Sequence, residues 1–91
     1  MKIYRMEQED GGGPWFTLDY KDRKHNVKLA TNGNGKVYGC LTEKDLLNYF
    51  NNKVPYLCHI EIYDIPDEDV RTINRMVEFP IEYVYKRLKA E

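Results

Sequence analysis

The sequence is poor in cysteine and has no long hydrophobic run. Its 91 residues include only two cysteines, Cys40 and Cys58, too few for the disulfide framework that stabilises small secreted domains. No stretch approaches the roughly 20 apolar residues that a membrane-spanning helix needs, and no apolar signal region follows Met1. We therefore expect a cytoplasmic protein without a membrane partner, with both cysteines free.

An excess of charge of one sign is also missing. The chain has 14 lysines and arginines against 15 aspartates and glutamates, a formal net charge of -1. Proteins that bind nucleic acids usually present a basic field to the phosphate backbone, so we do not expect a nucleic-acid partner. A chain this short has room for one core, which predicts a single domain over residues 1–91. A homodimer through an unpaired strand edge stays open as a way to add buried surface.

The familiar signatures of catalytic and metal sites are absent from the sequence. Gly11–Gly13 is followed neither by the Lys-Ser/Thr of a phosphate loop nor by a G-x-G-x-x-G pattern. The two histidines, His25 and His59, and the two cysteines lack the spacing of zinc ligands. Cys58 and His59 are neighbours on a predicted strand and point to opposite faces, so they cannot form a nucleophile and base pair. We expect no catalytic residue, no metal and no cofactor, and therefore not an enzyme.

The patterns that are present predict an α+β fold. We expect a small, mostly antiparallel sheet with a β-hairpin and one main helix, and a second short helix also fits. The alternating residues 2–7 and 56–65 predict strands. Asn32–Gly35 predicts a hairpin turn between residues 27–30 and 36–38, because Asn and Gly tolerate positive φ. Thr42 predicts the start of a helix that ends near Asn51.

The C-terminal third is ambiguous between helix and strand. Residues 70–77 carry apolar side chains at helical spacing, which predicts a short helix or an irregular crossover. Residues 79–85 are rich in aromatic and β-branched side chains, which favours a strand. Ile81, Val84 and Leu88 also fit one face of a helix, so either structure is open after Pro80.

Two segments are candidates for protein contacts. Trp15 and Phe16 follow a glycine-rich loop, and such aromatic side chains often anchor interfaces. A second segment is acidic and suits a basic partner surface. Its residues are Asp64, Asp67, Glu68 and Asp69.

Several short segments resemble small uncharacterised phage and prophage proteins. These segments are Tyr4–Glu7, Gly12–Trp15, Tyr38–Cys40 before a helix ending Asn48–Phe50, and Ile62–Asp67. Such proteins resemble trimmed ADP-ribosyltransferase folds, in which an Arg or His on the first strand and a Glu or Gln near a late strand hold NAD. The resemblance implies these roles for Arg5 and Glu78.

Two functions follow as expectations. The first is a phage-type accessory protein that binds a host protein and inhibits or redirects it, for example in counter-defence against a CRISPR or nucleotide-signalling system. Small size, aromatic content and a segregated acidic surface favour this reading. The alternative is a nucleotide-binding domain, either a degenerate ADP-ribosyltransferase or a nucleotide sponge, with Arg5 and Glu78 at its ligand.

Overall fold

A computed structural model of the chain describes residues 1–9, 11 and 35–90. Within these ranges the elements are β1 (Lys2–Glu7), β2 (Lys36–Gly39), α1 (Glu43–Tyr49), β3 (His59–Asp64), a 3₁₀ turn (Asp67–Asp69), β4 (Arg71–Ile73), β5 (Met76–Pro80) and α2 (Glu82–Ala90). All strand pairs among them are antiparallel. The predicted α+β class, with a hairpin and a main helix, is confirmed.

The strands form two small sheets that meet at one point. β1 pairs with β3, and β5 lies between β2 and β4. Tyr4 of β1 and Cys40, just after β2, exchange two backbone hydrogen bonds of 2.8 Å. This bridge requires a glycine beside it, because a Cβ at Gly39 would lie 2.5 Å from Ile3 Cγ2.

The two helices cover different apolar clusters. The main core contains eight buried residues: Ile3, Val37, Tyr63, Ile65, Val77, Phe79, Ile81 and Val84. The minor core contains three: Met6, Cys40 and Leu46. Val84 brings α2 onto the main core, and Leu46 brings α1 onto the minor core.

The predicted helix or irregular crossover over residues 70–77 is wrong. The segment instead forms the β4–β5 hairpin, with Ile73 opposite Met76 and a two-residue turn of Asn74 and Arg75. Asn74 has a φ of +55°, a conformation that asparagine adopts more readily than most residues. The pairing of β5 with both β2 and β4 fixes the segment as a strand, although its apolar spacing also fits a helix.

The preferred strand over residues 79–85 is right only for Phe79 and Pro80. β5 ends at Pro80, and the helix α2 follows from Glu82. The carbonyl of Ile81 accepts hydrogen bonds from the amides of Val84 and Tyr85 at 2.9 and 3.2 Å. Helical spacing places Ile81 and Val84 together in the main core, whereas strand alternation would point them to opposite faces.

The predictions in the first two thirds of the chain agree with the structure where it is described. Residues 2–7 are β1, and the strand predicted over 56–65 is β3, shortened at its start. Thr42 caps α1, since its Oγ1 accepts a hydrogen bond from the amide of Asp45 at 3.1 Å. Of the hairpin predicted around Asn32–Gly35, only the second strand lies within the described residues. Neither described helix is long and apolar enough to cross a membrane.

Candidate functional site

Charged residues extend one face of the β1–β3 pair beyond the main core. Arg5 lies opposite Glu61, and Glu7 lies opposite His59. Residues that face each other across an antiparallel pair share one side of the sheet. Ile3 is two residues before Arg5 on the same side and belongs to the main core. The strand register therefore gathers acidic and basic groups at the end of an apolar layer.

Glu7 is the centre of this cluster and is fully buried. Its carboxylate accepts hydrogen bonds from Arg5 Nη1 and Arg87 Nη2. The Tyr63 hydroxyl lies 2.9 Å from each Glu7 carboxylate oxygen and donates to them. A buried carboxylate is costly unless it is paired and hydrogen-bonded. Here two guanidinium groups and a phenol hydroxyl pair with the carboxylate and donate hydrogen bonds to it.

The cluster also connects residue 11 and α2 to β1. Arg5 Nη1 donates a second hydrogen bond to the carbonyl of Gly11 at 3.0 Å. Gly11 has a φ of +85°, and a Cβ there would lie 2.8 Å from Val84 Cγ1. Only a glycine allows the backbone to lie this close to α2 while adopting that conformation.

The outer edge of the cluster is half-buried. His59 Nε2 lies 2.7 Å from Glu61 Oε2, and Glu61 Oε2 lies 3.8 Å from Arg87 Nη1. One ligand atom from each of Glu7, His59 and Glu61 lies within 4.8 Å of the other two. This triad is the group of described residues that could hold a metal ion.

The cluster shifts the acid–base behaviour of two of its members. Burial and then the charge of Glu7 raise the pKa of Tyr63, so its hydroxyl stays protonated at neutral pH and donates to the carboxylate. Burial alone would lower the pKa of Arg87, but the Tyr63 hydrogen bond and the charges of Glu7 and Glu61 outweigh it and raise the pKa. Both shifts favour the hydrogen-bonding state seen in the structure.

A second feature is an exposed apolar turn, Pro55–Cys58, directly before β3. The amide of Cys58 donates to the carbonyl of Pro55 at 3.0 Å and closes the turn. Tyr56 is 87% exposed and Leu57 is 56% exposed. Leu57 has a φ of +65°, which costs a residue with a Cβ roughly 1–2 kcal/mol. The chain thus holds a large apolar side chain in a strained and exposed position.

The predicted acidic contact segment lies on the surface. Asp64 and Asp67 are largely exposed, and the N-terminal ammonium group lies 3.3 and 3.5 Å from their carboxylates. Glu68 is exposed, whereas Asp69 is half-buried and accepts a hydrogen bond from the Tyr83 hydroxyl. The structure therefore brings the four acids together. Trp15 and Phe16 lie outside the described residues.

The two residues implied by the ADP-ribosyltransferase resemblance lie on different sides of their strands, one on the side of the main core and the other on the side of the minor core. Arg5 extends the side of β1 that builds the main core. Glu78 alternates with Val77 of the main core and shares its side of β5 with Met76, which packs on the minor core. Glu78 is buried, with Arg71 Nη1 at 3.9 Å. A single nucleotide would have to reach both faces to contact both residues.

Sequence reasoning missed both features. Glu7 and Arg87 are 80 positions apart, and no local pattern joins them. A partial signal was present in the alternation of His59, Glu61 and Tyr63 on one side of a predicted strand. The turn at Tyr56 and Leu57 could not be predicted from the sequence, because glycine or asparagine normally occupies positions with positive φ.

The comparisons with known proteins gave no match to this chain among family models, curated proteins or solved structures.

Proposed function

We propose that this chain is a protein-binding module of the phage accessory type, rather than an enzyme. In this proposal it binds a host protein in the cytoplasm and inhibits or redirects it. The observation that carries the proposal is the apolar turn Pro55–Cys58, which presents Tyr56 and Leu57 to solvent on a strained backbone. Backbone strain of this kind clusters at binding and catalytic sites.

Exposed apolar side chains are frequent in the part of the sequence that leads up to this turn. Isolated exposed hydrophobic residues are normal on any protein and need no explanation. Here five large ones fall between residues 41 and 57: Leu41, Tyr49, Val54, Tyr56 and Leu57. Tyrosine is enriched among the residues that dominate interface energies. The concentration favours a protein partner over a small ligand.

The acidic residues supply a second contact. Asp64, Asp67 and Glu68 lie at the opposite end of β3 from the apolar turn. A strand of six residues spans about 20 Å, which is within the width of a standard protein interface. We expect the partner to carry a basic patch beside an apolar cleft, because complementary charges accelerate association and fix orientation.

The first test replaces Leu57 by glycine. Glycine accepts positive φ without strain. The free energy of unfolding of the L57G variant, measured in urea, should therefore equal that of the wild type or exceed it by up to about 1 kcal/mol. The same change removes the apolar side chain from the contact. The wild-type protein is first used to capture its partner from host lysate, and the partner is identified by mass spectrometry and purified. We expect L57G to bind it at least tenfold more weakly in biolayer interferometry.

Tyr85→Ala is the matched control. Tyr85 is also an exposed large hydrophobic residue, at 37%, but it lies on α2 and belongs to neither proposed contact segment. Wild-type affinity in Y85A together with weak binding in L57G supports the proposal. Equal affinity in L57G and the wild type contradicts it. If the chain captures no protein and NAD or ADP-ribose raises its melting temperature, the nucleotide-binding alternative is favoured instead.

A further inference from the structure

We propose that Glu7, His59 and Glu61 form a site for a divalent transition-metal ion of the Zn²⁺ type, and that the guanidinium group of Arg87 competes with the metal for it. The proposal is independent of the protein-binding function. It rests on strand register, on the distances between the ligand atoms and on the charges around them.

The backbone places the three ligands on one face. His59 and Glu61 are two residues apart on β3, and Glu7 lies directly opposite His59 on β1. Their ligand atoms lie within 4.8 Å of one another. Zinc binds nitrogen and oxygen at about 2.0–2.2 Å, which separates neighbouring ligand atoms by about 3–3.5 Å. Metal binding would therefore require side-chain rotations that bring the ligand atoms closer than their present 4.8 Å limit.

A cation already lies between the two carboxylates. Arg87 Nη2 contacts Glu7 Oε1, and Arg87 Nη1 lies 3.8 Å from Glu61 Oε2. This position is therefore electrostatically suited to positive charge. Arg5 contacts the other oxygen of Glu7, Oε2, so a metal that displaces Arg87 would share Oε1 with the Tyr63 hydroxyl, which lies 2.9 Å from both Glu7 oxygens. The metal would replace one positive charge by two.

The burial and the chemistry of the ligands indicate how an ion reaches the site and which class of metal binds there. His59 and Glu61 are half-buried, so an ion can reach these two ligands from solvent before it displaces Arg87 from the fully buried Glu7. One imidazole nitrogen with two carboxylate oxygens suits zinc or its first-row neighbours, whereas Mg²⁺ prefers oxygen ligands alone. Displacement of Arg87 would also remove an ionic contact between the last turn of α2 and strands β1 and β3.

The test is a titration with ZnCl₂ of the wild type and of Arg87→Gln. Glutamine removes the competing charge, while Arg5 and Tyr63 still partner Glu7. We expect R87Q to bind one Zn²⁺ at least tenfold more tightly than the wild type in calorimetry. The chain has only two histidines, so ring nitrogen chemical shifts in NMR, assigned with a His25→Gln variant, should show that His59 is the ligand. Mg²⁺ should give no heat.

The double variant R87Q with His59→Gln should lose the tight binding. Cys58→Ser in the R87Q background should keep it, which excludes the neighbouring thiol as the ligand. If R87Q does not fold, His59→Gln in the wild-type background takes its place and should abolish the Zn²⁺ binding of the wild type. Equal Zn²⁺ affinity with and without Arg87, or binding that survives the loss of His59, would overturn the proposal.

Discussion

Tyr63 is the residue that connects the apolar core to the buried charges. Its ring packs on Phe79, with ring centroids 5.2 Å apart. Its hydroxyl donates to Glu7 and accepts from Arg87 Nε at 3.0 Å. One side chain thus belongs to the main core and to the ionic cluster, and its hydroxyl can be removed without disturbing the ring.

Tyr63→Phe should lower the free energy of unfolding at pH 7 by about 2 kcal/mol, since hydrogen bonds to charged groups contribute about 1.5–3 kcal/mol. The folded state raises the pKa of Tyr63 above its ordinary value. As pH rises past about 10, the unfolded chain releases this proton first. The contribution of Tyr63 is therefore complete below about pH 10 and is lost above it.

Urea unfolding at pH 7, 9 and 11 tests this expectation. Y63F should lose less stability between pH 9 and 11 than the wild type does. Tyr56→Phe changes an exposed tyrosine and should keep the wild-type pH dependence. A pH dependence in Y63F as steep as that of the wild type would show that Tyr63 does not carry the effect.

Among the elements, α1 depends most on its cap. It has only seven residues and buries only Leu46, so neither length nor packing gives it much stability. Thr42 Oγ1 accepts from the amide of Asp45, and Glu43 and Asp45 lie in the positive first turn. Thr42→Ala should lower the free energy of unfolding by about 1 kcal/mol.

Thr42→Ser is the control for the cap, because serine retains the accepting oxygen. It should stay close to the wild type in urea unfolding, with loss of helical circular dichroism confined to the alanine variant. An alanine variant as stable as the serine variant would mean that packing, not the cap, holds α1.

The whole molecule depends on the junction between its two sheets. A Cβ at position 39 would lie 2.5 Å from Ile3 Cγ2 and 2.9 Å from the Tyr4 carbonyl oxygen. Since one of these atoms belongs to the backbone, the strain cannot be relieved by a side chain alone. Gly39→Ala should therefore push β1 and β2 apart and lower the free energy of unfolding by about 2 kcal/mol or more.

Gly35→Asn provides the comparison for this junction. Gly35 has a positive φ of +72°, unlike Gly39, and a Cβ there meets no atom within 4 Å. Asparagine tolerates this conformation, so G35N should lose less than 1 kcal/mol in thermal denaturation. If G39A melts at the wild-type temperature, the junction is looser than the structure indicates.

Much of the fold was determined by local sequence. β1, α1 and β3 were predicted because alternation over a few residues, or a threonine before an apolar stripe, depends only on neighbours in the chain. The exposed acids at Asp64 and Asp67 followed from composition in the same way. In contrast, the positive φ of Leu57 contradicts the local preference of leucine, and no sequence pattern announces it.

Only the tertiary structure decided the C-terminal third and the ionic cluster. Residues 70–80 have a spacing that fits helix and strand alike, and pairing with β2 selects the strand. From the sequence alone, Glu7 and Arg87 would each be interpreted as ordinary surface charges. They meet because α2 packs its apolar face on the main core, to which β1 and β3 contribute Ile3 and Tyr63, and a contact over 80 positions exists only once that packing has formed.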